Sequence, residues 1–315
     1  MEKVLDYLGL MKEDKASDLF IMAGTPVCEK CEGRFVYFNG TGRVTSLAEA
    51  KKLSPDETEI LVQEIYQEAK RDIARFKERG DDDFALSVPN LARFRVNVYK
   101  QRNSMAAVLR MVSYGIPDPG EMSIDEERVM KRVTNLSSGL VLITGTAGSG
   151  KSTTQACIID RINQDPEKNY HIITLEDPVE YLHRNKYSIV SQREIGIDAQ
   201  DYQSGLRACL RQAPDVILLG EMRDQETIRT VMTAAETGHL VIATLHTSSA
   251  INAVDRIVDT FPEGQQPQIR MQLSSVLKTV IAQRLLRGTD GRLIPSFEIM
   301  NATTAVKNII RIGKT

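Results

Sequence analysis

The chain has 315 residues, with 40 basic against 42 acidic side chains and four cysteines. That length allows two domains with a sizeable core. The near-zero net charge excludes a global attraction to nucleic acid or anionic lipid, leaving only local patches. No apolar run approaches the ~20 residues that span a bilayer. The acidic, amphipathic start, Met1-Glu2-Lys3-Val4-Leu5-Asp6-Tyr7-Leu8, is unlike a secretory signal. A few cysteines outside any disulfide framework fit a reducing compartment. The expected location is the cytoplasm.

In chain order, apolar spacing predicts a helix over 2–13, a strand over 17–22 and a short strand at 36–38. Cys28 and Cys31 form one C-x-x-C. A structural zinc site usually needs a second pair or nearby histidines, and neither is present, so the pair reads as an ordinary reduced turn. Ser54-Pro55-Asp56-Glu57 is a helix start, with Ser54 as cap and Glu57 closing a capping box. That helix is expected to run to about Glu78 and to end at Gly80. Three strands follow at 83–88, 93–100 and 105–112. Their alternation suits antiparallel pairing, with Arg93, Arg95 and Asn97 on a wet face opposite Phe94, Val96 and Val98. Residues 1–114 thus read as a small α+β domain. Tyr114-Gly115-Ile116-Pro117-Asp118-Pro119-Gly120 is dense in turn formers and marks a linker, taken as 115–122.

From 123 to 315, helices alternate with apolar runs at 141–144, 172–175, 216–219 and 241–243. Such alternation predicts an α/β domain: a parallel sheet covered on both faces, with ligand at the carboxyl ends of the strands. The first run leads into Gly145-Thr146-Ala147-Gly148-Ser149-Gly150-Lys151-Ser152-Thr153, a P-loop between a strand and a helix. Gly145, Gly148 and Gly150 allow a tight turn whose N–H groups converge on phosphate. Lys151 adds a full positive charge near the β/γ-phosphates, Ser152 can hold Mg²⁺, and the helix start faces the same anion. The candidate nucleotide-binding residues are therefore 145–153, with ATP and Mg²⁺ as the implied ligands.

Three carboxylates, Glu176, Asp177 and Glu180, crowd the end of the second run, where Pro178 forces a turn. One of them could polarise a water for attack on the γ-phosphate. Val216-Ile217-Leu218-Leu219-Gly220-Glu221 has the form of a Walker B segment, with Glu221 as a second candidate metal residue beside Ser152. Arg223 and Asp224 follow at once, so a local ion pair is also open. His239 and His246 flank the last run and are read together as reporters of the γ-phosphate at one sheet edge. Phosphoryl transfer also calls for a guanidinium. Arg93, Arg95, Arg102 and Arg110 are available in the first domain, and spacing does not choose among them.

The boxes Gly-Thr-Ala-Gly-Ser-Gly-Lys-Ser-Thr-Thr, Thr-Leu-Glu-Asp-Pro-Val-Glu-Tyr, Leu-Gly-Glu-Met-Arg-Asp and Thr-Gly-His-Leu-Val-Ile-Ala-Thr-Leu-His-Thr, in that order, resemble the secretion ATPases of type IV pilus and type II secretion systems. Within them the chain looks most like the PilT-type retraction ATPases. The likeness runs from Ala16 to Asn308. It implies a PAS-like N-terminal domain and a RecA-like ATPase domain, assembled as a homohexamer at the inner face of the cytoplasmic membrane. It places the catalytic glutamate on Glu180, the Walker B acid on Glu221 and the histidine pair on His239 and His246. The arginines acting across subunits fall on Arg95 and Arg110. Partners implied are an inner-membrane, PilC-like platform protein and no nucleic acid, with membrane association only through partners.

The chain lacks the long extra N-terminal domain and tetracysteine motif of assembly-type relatives, which favours retraction over extension. Ala305-Val306-Lys307 stands where the family carries Ala-Ile-Arg, and the resemblance implies a C-terminus that continues past Thr315. Rival readings are a PilU-like accessory ATPase, an assembly or type II secretion ATPase, a non-motor ATP-binding regulator and a nucleic-acid translocase. Neutral charge and the lack of a basic, aromatic-rich stretch speak against the last.

Overall fold

The computed structural model describes residues 3–31, 33–40, 42–112, 115–289 and 292–314. Met1, Glu2 and Tyr114 of the expected first domain, Glu2 being also the start of its expected first helix, and Thr315 of the expected second domain lie outside them. Two compact units, Met1–Tyr114 and Gly115–Thr315, are described in turn.

The first unit contains α1 (Val4–Glu13), β1 (Asp18–Met22), β2 (Cys28–Cys31), β3 (Arg34–Asn39), β4 (Gly42–Val44), α2 (Pro55–Glu68), α3 (Ala74–Arg79), β5 (Asp81–Val88), β6 (Ala92–Gln101) and β7 (Ser104–Val112). Its strands form a seven-stranded sheet in the order β4-β3-β2-β1-β7-β6-β5. Every pairing is antiparallel. The period of two along β6 puts Phe94, Val96 and Val98 into the core with Leu8 and Met11 of α1, Leu61 and Ile65 of α2 and Phe76 of α3. Arg93, Arg95 and Asn97 take the other face, as their alternation predicts.

Two local expectations are corrected. The helix begun by Ser54, whose side chain accepts from Glu57 N in a complete capping box, stops at Glu68 rather than Glu78. The cause is a buried charge: Asp82 lies only 3 % exposed. Arg71 meets it through Nε and Nη2, both at 2.9 Å, and Tyr66 donates its hydroxyl at 3.1 Å. Bringing Arg71 inward takes the chain through a left-handed residue, Lys70 (φ 51), before α3 restarts the helix and ends at Gly80 as expected.

The C-x-x-C is a strand, not a turn, because both neighbours zip onto it, with Phe20 and Tyr37 opposite Cys28 and Arg34 opposite Cys31. Both thiols are free. Burial, with Glu29 beside them, pushes each up to about 11, so they stay protonated near neutral pH. Among the described residues no cluster of three metal-ligating side chains occurs.

In the second unit a π turn at Glu126–Met130 leads into α4 (Lys131–Thr134). There follow β8 (Gly139–Thr144), α5 (Lys151–Asn163), β9 (His171–Glu176), β10 (Ile189–Glu194), α6 (Tyr202–Cys209) and β11 (Val216–Leu219). The remainder comprises α7 (Gln225–Glu236), β12 (Leu240–Leu245), α8 (Ala250–Asp259), α9 (Gln266–Val276), β13 (Leu277–Arg287), β14 (Leu293–Asn301) and α10 (Thr304–Ile312). The sheet order is β10-β9-β11-β12-β8-β13-β14. All pairings are parallel except β13 with β14, so the expected parallel sheet carries one antiparallel edge strand.

The sheet is covered on both faces. Leu140, Leu142, Ile173 and Ile217 pack with α6, α7, α8 and α9. Their neighbours Val141, Ile143, Ile172 and Val216 pack with α4 and α5. Among the described residues no helix is long and apolar enough to cross a membrane.

Candidate functional site

Parallel strands all finish at one edge, and the loops that leave them there converge. Between β8 and α5 the chain turns back at Gly150 (φ 85), the N-cap of α5. A Cβ at Gly150 would come within 2.8 Å of Gln283 Nε2, so only glycine fits under both the backbone and the steric demand. Gly145 is likewise closed in, by Gln283 O and by the Ser149 side chain. The buried amide of Gln283 accepts a 2.8 Å hydrogen bond from Thr154 Oγ1, which ties β13 to the first turn of α5.

Lys151 is 9 % exposed and donates to Gly145 O and Thr146 O, each at 2.8 Å. Burial lowers its pKa, and Glu221 and Glu180 partly offset this. Ser149 Oγ is buried without a hydrogen-bond partner among the described residues. An ammonium resting on its own loop's carbonyls, an orphaned hydroxyl and a glycine turn at a helix start are the fittings of an anion cradle.

A cavity of about 240 Å³ opens here, lined among others by Ala147, Gly148, Lys151, Ser152, Glu176, Glu180, Glu221 and His246. Ser152 and Glu221 thus share one space, as a Mg²⁺ ligand set would require. Glu221 Oε2 accepts from Arg223 Nε at 2.7 Å, and its Oε1 lies 3.3 Å from His246 Nε2. The expected local ion pair therefore forms with Glu221. Asp224 instead caps α7, accepting from Glu226 N and Thr227 N. Glu180 is exposed. Glu176 is held by Thr174 Oγ1 at 2.6 Å and Gln192 Nε2 at 3.2 Å. Burial pushes its carboxyl up to about 7.

His239 does not join this group. It precedes β12 whereas His246 follows it, and its carbonyl accepts from Gly139 N at the start of β8. The six residues of β12 lie between them, so their backbones stand seven steps apart, roughly 23 Å at the usual rise. His239 Nδ1 sits 2.9 Å from Ala234 O, at the end of the sheet opposite the P-loop. The expectation that both histidines share one sheet edge is corrected: a strand traversed once carries its two flanks to opposite edges. His246 alone faces the cavity.

Arg95 and Arg110 belong to the first unit. They are register partners on β6 and β7, both exposed, and Arg110 Nε donates to Asp18 Oδ1 at 2.8 Å.

Sequence reasoning passed over Gln283, Tyr202 and Thr244. Tyr202 and Thr244 line the cavity. Gln283 had a signal, an amide directly after the apolar run Val280-Ile281-Ala282, whereas Tyr202 and Thr244 blend into ordinary helix and strand patterns.

The model of the family described as "Type II/IV secretion system protein" matches residues 7–305. The chain is 40 % identical over 99 % of its length to the type IV pilus retraction ATPase PilT of Pseudomonas aeruginosa, covering 86 % of that protein. It is 38 % identical over 98 % of its length to the type IV pilus ATPase PilU of the same organism, covering 76 % of it. A crystal structure described as the pilus retraction motor PilT with bound ADP superposes with a TM-score of 0.89 at 41 % identity, over all of this chain and 87 % of that one. The fold is thus the RecA-like ATPase arrangement with a smaller N-terminal domain that those boxes imply.

Proposed function

The chain belongs to the type II/IV secretion system protein family, and from that membership and the site's geometry we propose that it is an ATP-hydrolysing motor that powers type IV pilus retraction. The observation that carries the reading is the convergence of Lys151, Ser152, Glu180, Glu221 and His246 on one cavity at the carboxyl edge of the parallel sheet. The N–H groups of 145–153 and the start of α5 bind the phosphates. Lys151 leaves its two loop carbonyls for the β/γ-phosphates. Ser152 and Glu221 would hold Mg²⁺, which would supply charge neutralisation to the phosphate oxygens. Glu180 orients the attacking water and accepts its proton. His246, on the wall shared with Glu221, donates to the γ-phosphate and registers its loss. His239, at the other end of β12, lies outside this cavity.

The proposed working form is a homohexamer at the inner face of the cytoplasmic membrane, coupled to a platform protein there. In it Arg95 and Arg110 supply the remaining positive charge to a neighbour's nucleotide. Deletion from a piliated host tests the reading. Retained or surplus pili with lost twitching are expected, and a bald strain would overturn retraction in favour of assembly. The similarity to PilU favours an accessory retraction role as the second reading. A second retraction ATPase in the host that sustains twitching after the deletion would select it.

A further inference from the structure

Glu180 is exposed, so its direction must come from its neighbours. Val179 N donates to Glu194 Oε2 at 3.3 Å on one side. On the other, Tyr181 is held at both ends. Its carbonyl accepts from Gln192 Nε2 at 2.8 Å, and Gln192 Oε1 in turn accepts from His183 N at 2.8 Å. Its hydroxyl lies 2.9 Å from the Thr153 hydroxyl, in the first turn of α5 directly after Lys151 and Ser152. The loop with the water-directed carboxylate is therefore bolted to the helix turn that holds phosphate and metal.

We propose that Tyr181 is a positioning residue, whose hydroxyl bond to Thr153 fixes Glu180 over the phosphate-binding end of α5. The inference rests on the reading of Glu180 as the water-directed group. Reacting groups must be placed closely, and a misplacement of about 1 Å can cost on the order of 10²-fold in rate. The Tyr181–Thr153 bond is partly buried and spans the two elements whose spacing decides that placement. It also makes the carboxylate's aim depend on the turn that contacts nucleotide, so a shift of α5 on binding is passed to Glu180 through one side chain.

The test is a double-mutant cycle on the full chain, read by single-turnover ATP hydrolysis and by equilibrium binding of a fluorescent ADP analogue. Tyr181→Phe keeps the ring and the Gln192 contact and removes only the O–H. It is expected to lower the hydrolysis rate about tenfold in the wild-type background and less than twofold on Glu180→Gln, with ADP affinity within about twofold. A loss of the same size in both backgrounds, or none in the wild type, would overturn the proposal. Gln192→Met, which releases the Tyr181 carbonyl, should show the same split between rate and affinity. Rate and affinity falling together would mark general loosening and count against it. If Glu180→Gln itself turns over normally, the reading of Glu180 fails. If Glu180→Gln is impaired and Tyr181→Phe is not, only the positioning role fails.

Discussion

The first sheet carries helices on one face only and leaves Arg93, Arg95, Asn97 and Arg110 along the other. The second is sealed on both faces, and its polar groups gather at the strand ends. The difference follows from strand direction. An antiparallel sheet can present a row of side chains along an open face, where they can reach another molecule. A parallel sheet wrapped in helices has only its carboxyl edge to offer, so its loops build a concave site. Buried charge follows the same division. In the first unit Asp82 and Glu29 are enclosed by the fold itself. In the second Lys151 and Glu176 are set around a cavity that a ligand would complete.

If that contrast is right, Asp82→Ala should damage only the first unit. It strands Arg71 and Tyr66 beside an empty site, and breaking a buried pair costs about 3–5 kcal/mol. The first unit should lose stability by that amount in chemical denaturation, while ADP affinity holds. Arg95→Ala tests the reach of the open face. A loss in ATP turnover on the order of 10²-fold or more is expected, with nucleotide affinity little changed. Normal turnover would leave the exposed arginines as mere solvated charge.

A pH series sharpens the comparison further. Burial, with Asp14 beside it, pushes Glu29 up to about 7. The folded state thus binds a proton that the unfolded chain has released. Stability is full below the ordinary carboxylate range and falls as pH rises through about 7, by on the order of 2 kcal/mol. Glu29→Gln should flatten that decline when thermal unfolding is followed from pH 5 to 8, and an unchanged slope would remove Glu29 from the account. The smallest effect is Ser54→Ala, which removes a complete capping box and should cost about 1 kcal/mol, measured by denaturant midpoint.

The sequence was most legible where local chemistry decides structure. The P-loop, the capping box at Ser54 and the alternation through Phe94, Val96 and Val98 are each set by neighbours along the chain. It was less legible where a distant partner decides. The break after Glu68 answers to Asp82, and the strand at Cys28–Cys31 to flanking strands. The edge strand β10 reads Ile-Val-Ser-Gln-Arg-Glu, too polar to stand out as an apolar run. The same limit governed the site. Lys151 and Glu221 announce themselves by motif, whereas only the family resemblance singled out Glu180 from Glu176 and Asp177. That His239 and His246 lie at opposite edges follows from the single strand between them, a fact of geometry that the pairing of two histidines obscures. Gln283 and Tyr181 matter through partners at sequence separations of 129 and 28.

The central claim is that Glu180 directs the hydrolytic water in a cavity that already binds ATP without it. Single-turnover hydrolysis by Glu180→Gln, alongside fluorescent-nucleotide binding, tests this most directly. The account predicts binding within a few-fold of wild type and hydrolysis slowed on the order of 10²-fold or more. Hydrolysis at the wild-type rate with binding intact would contradict it.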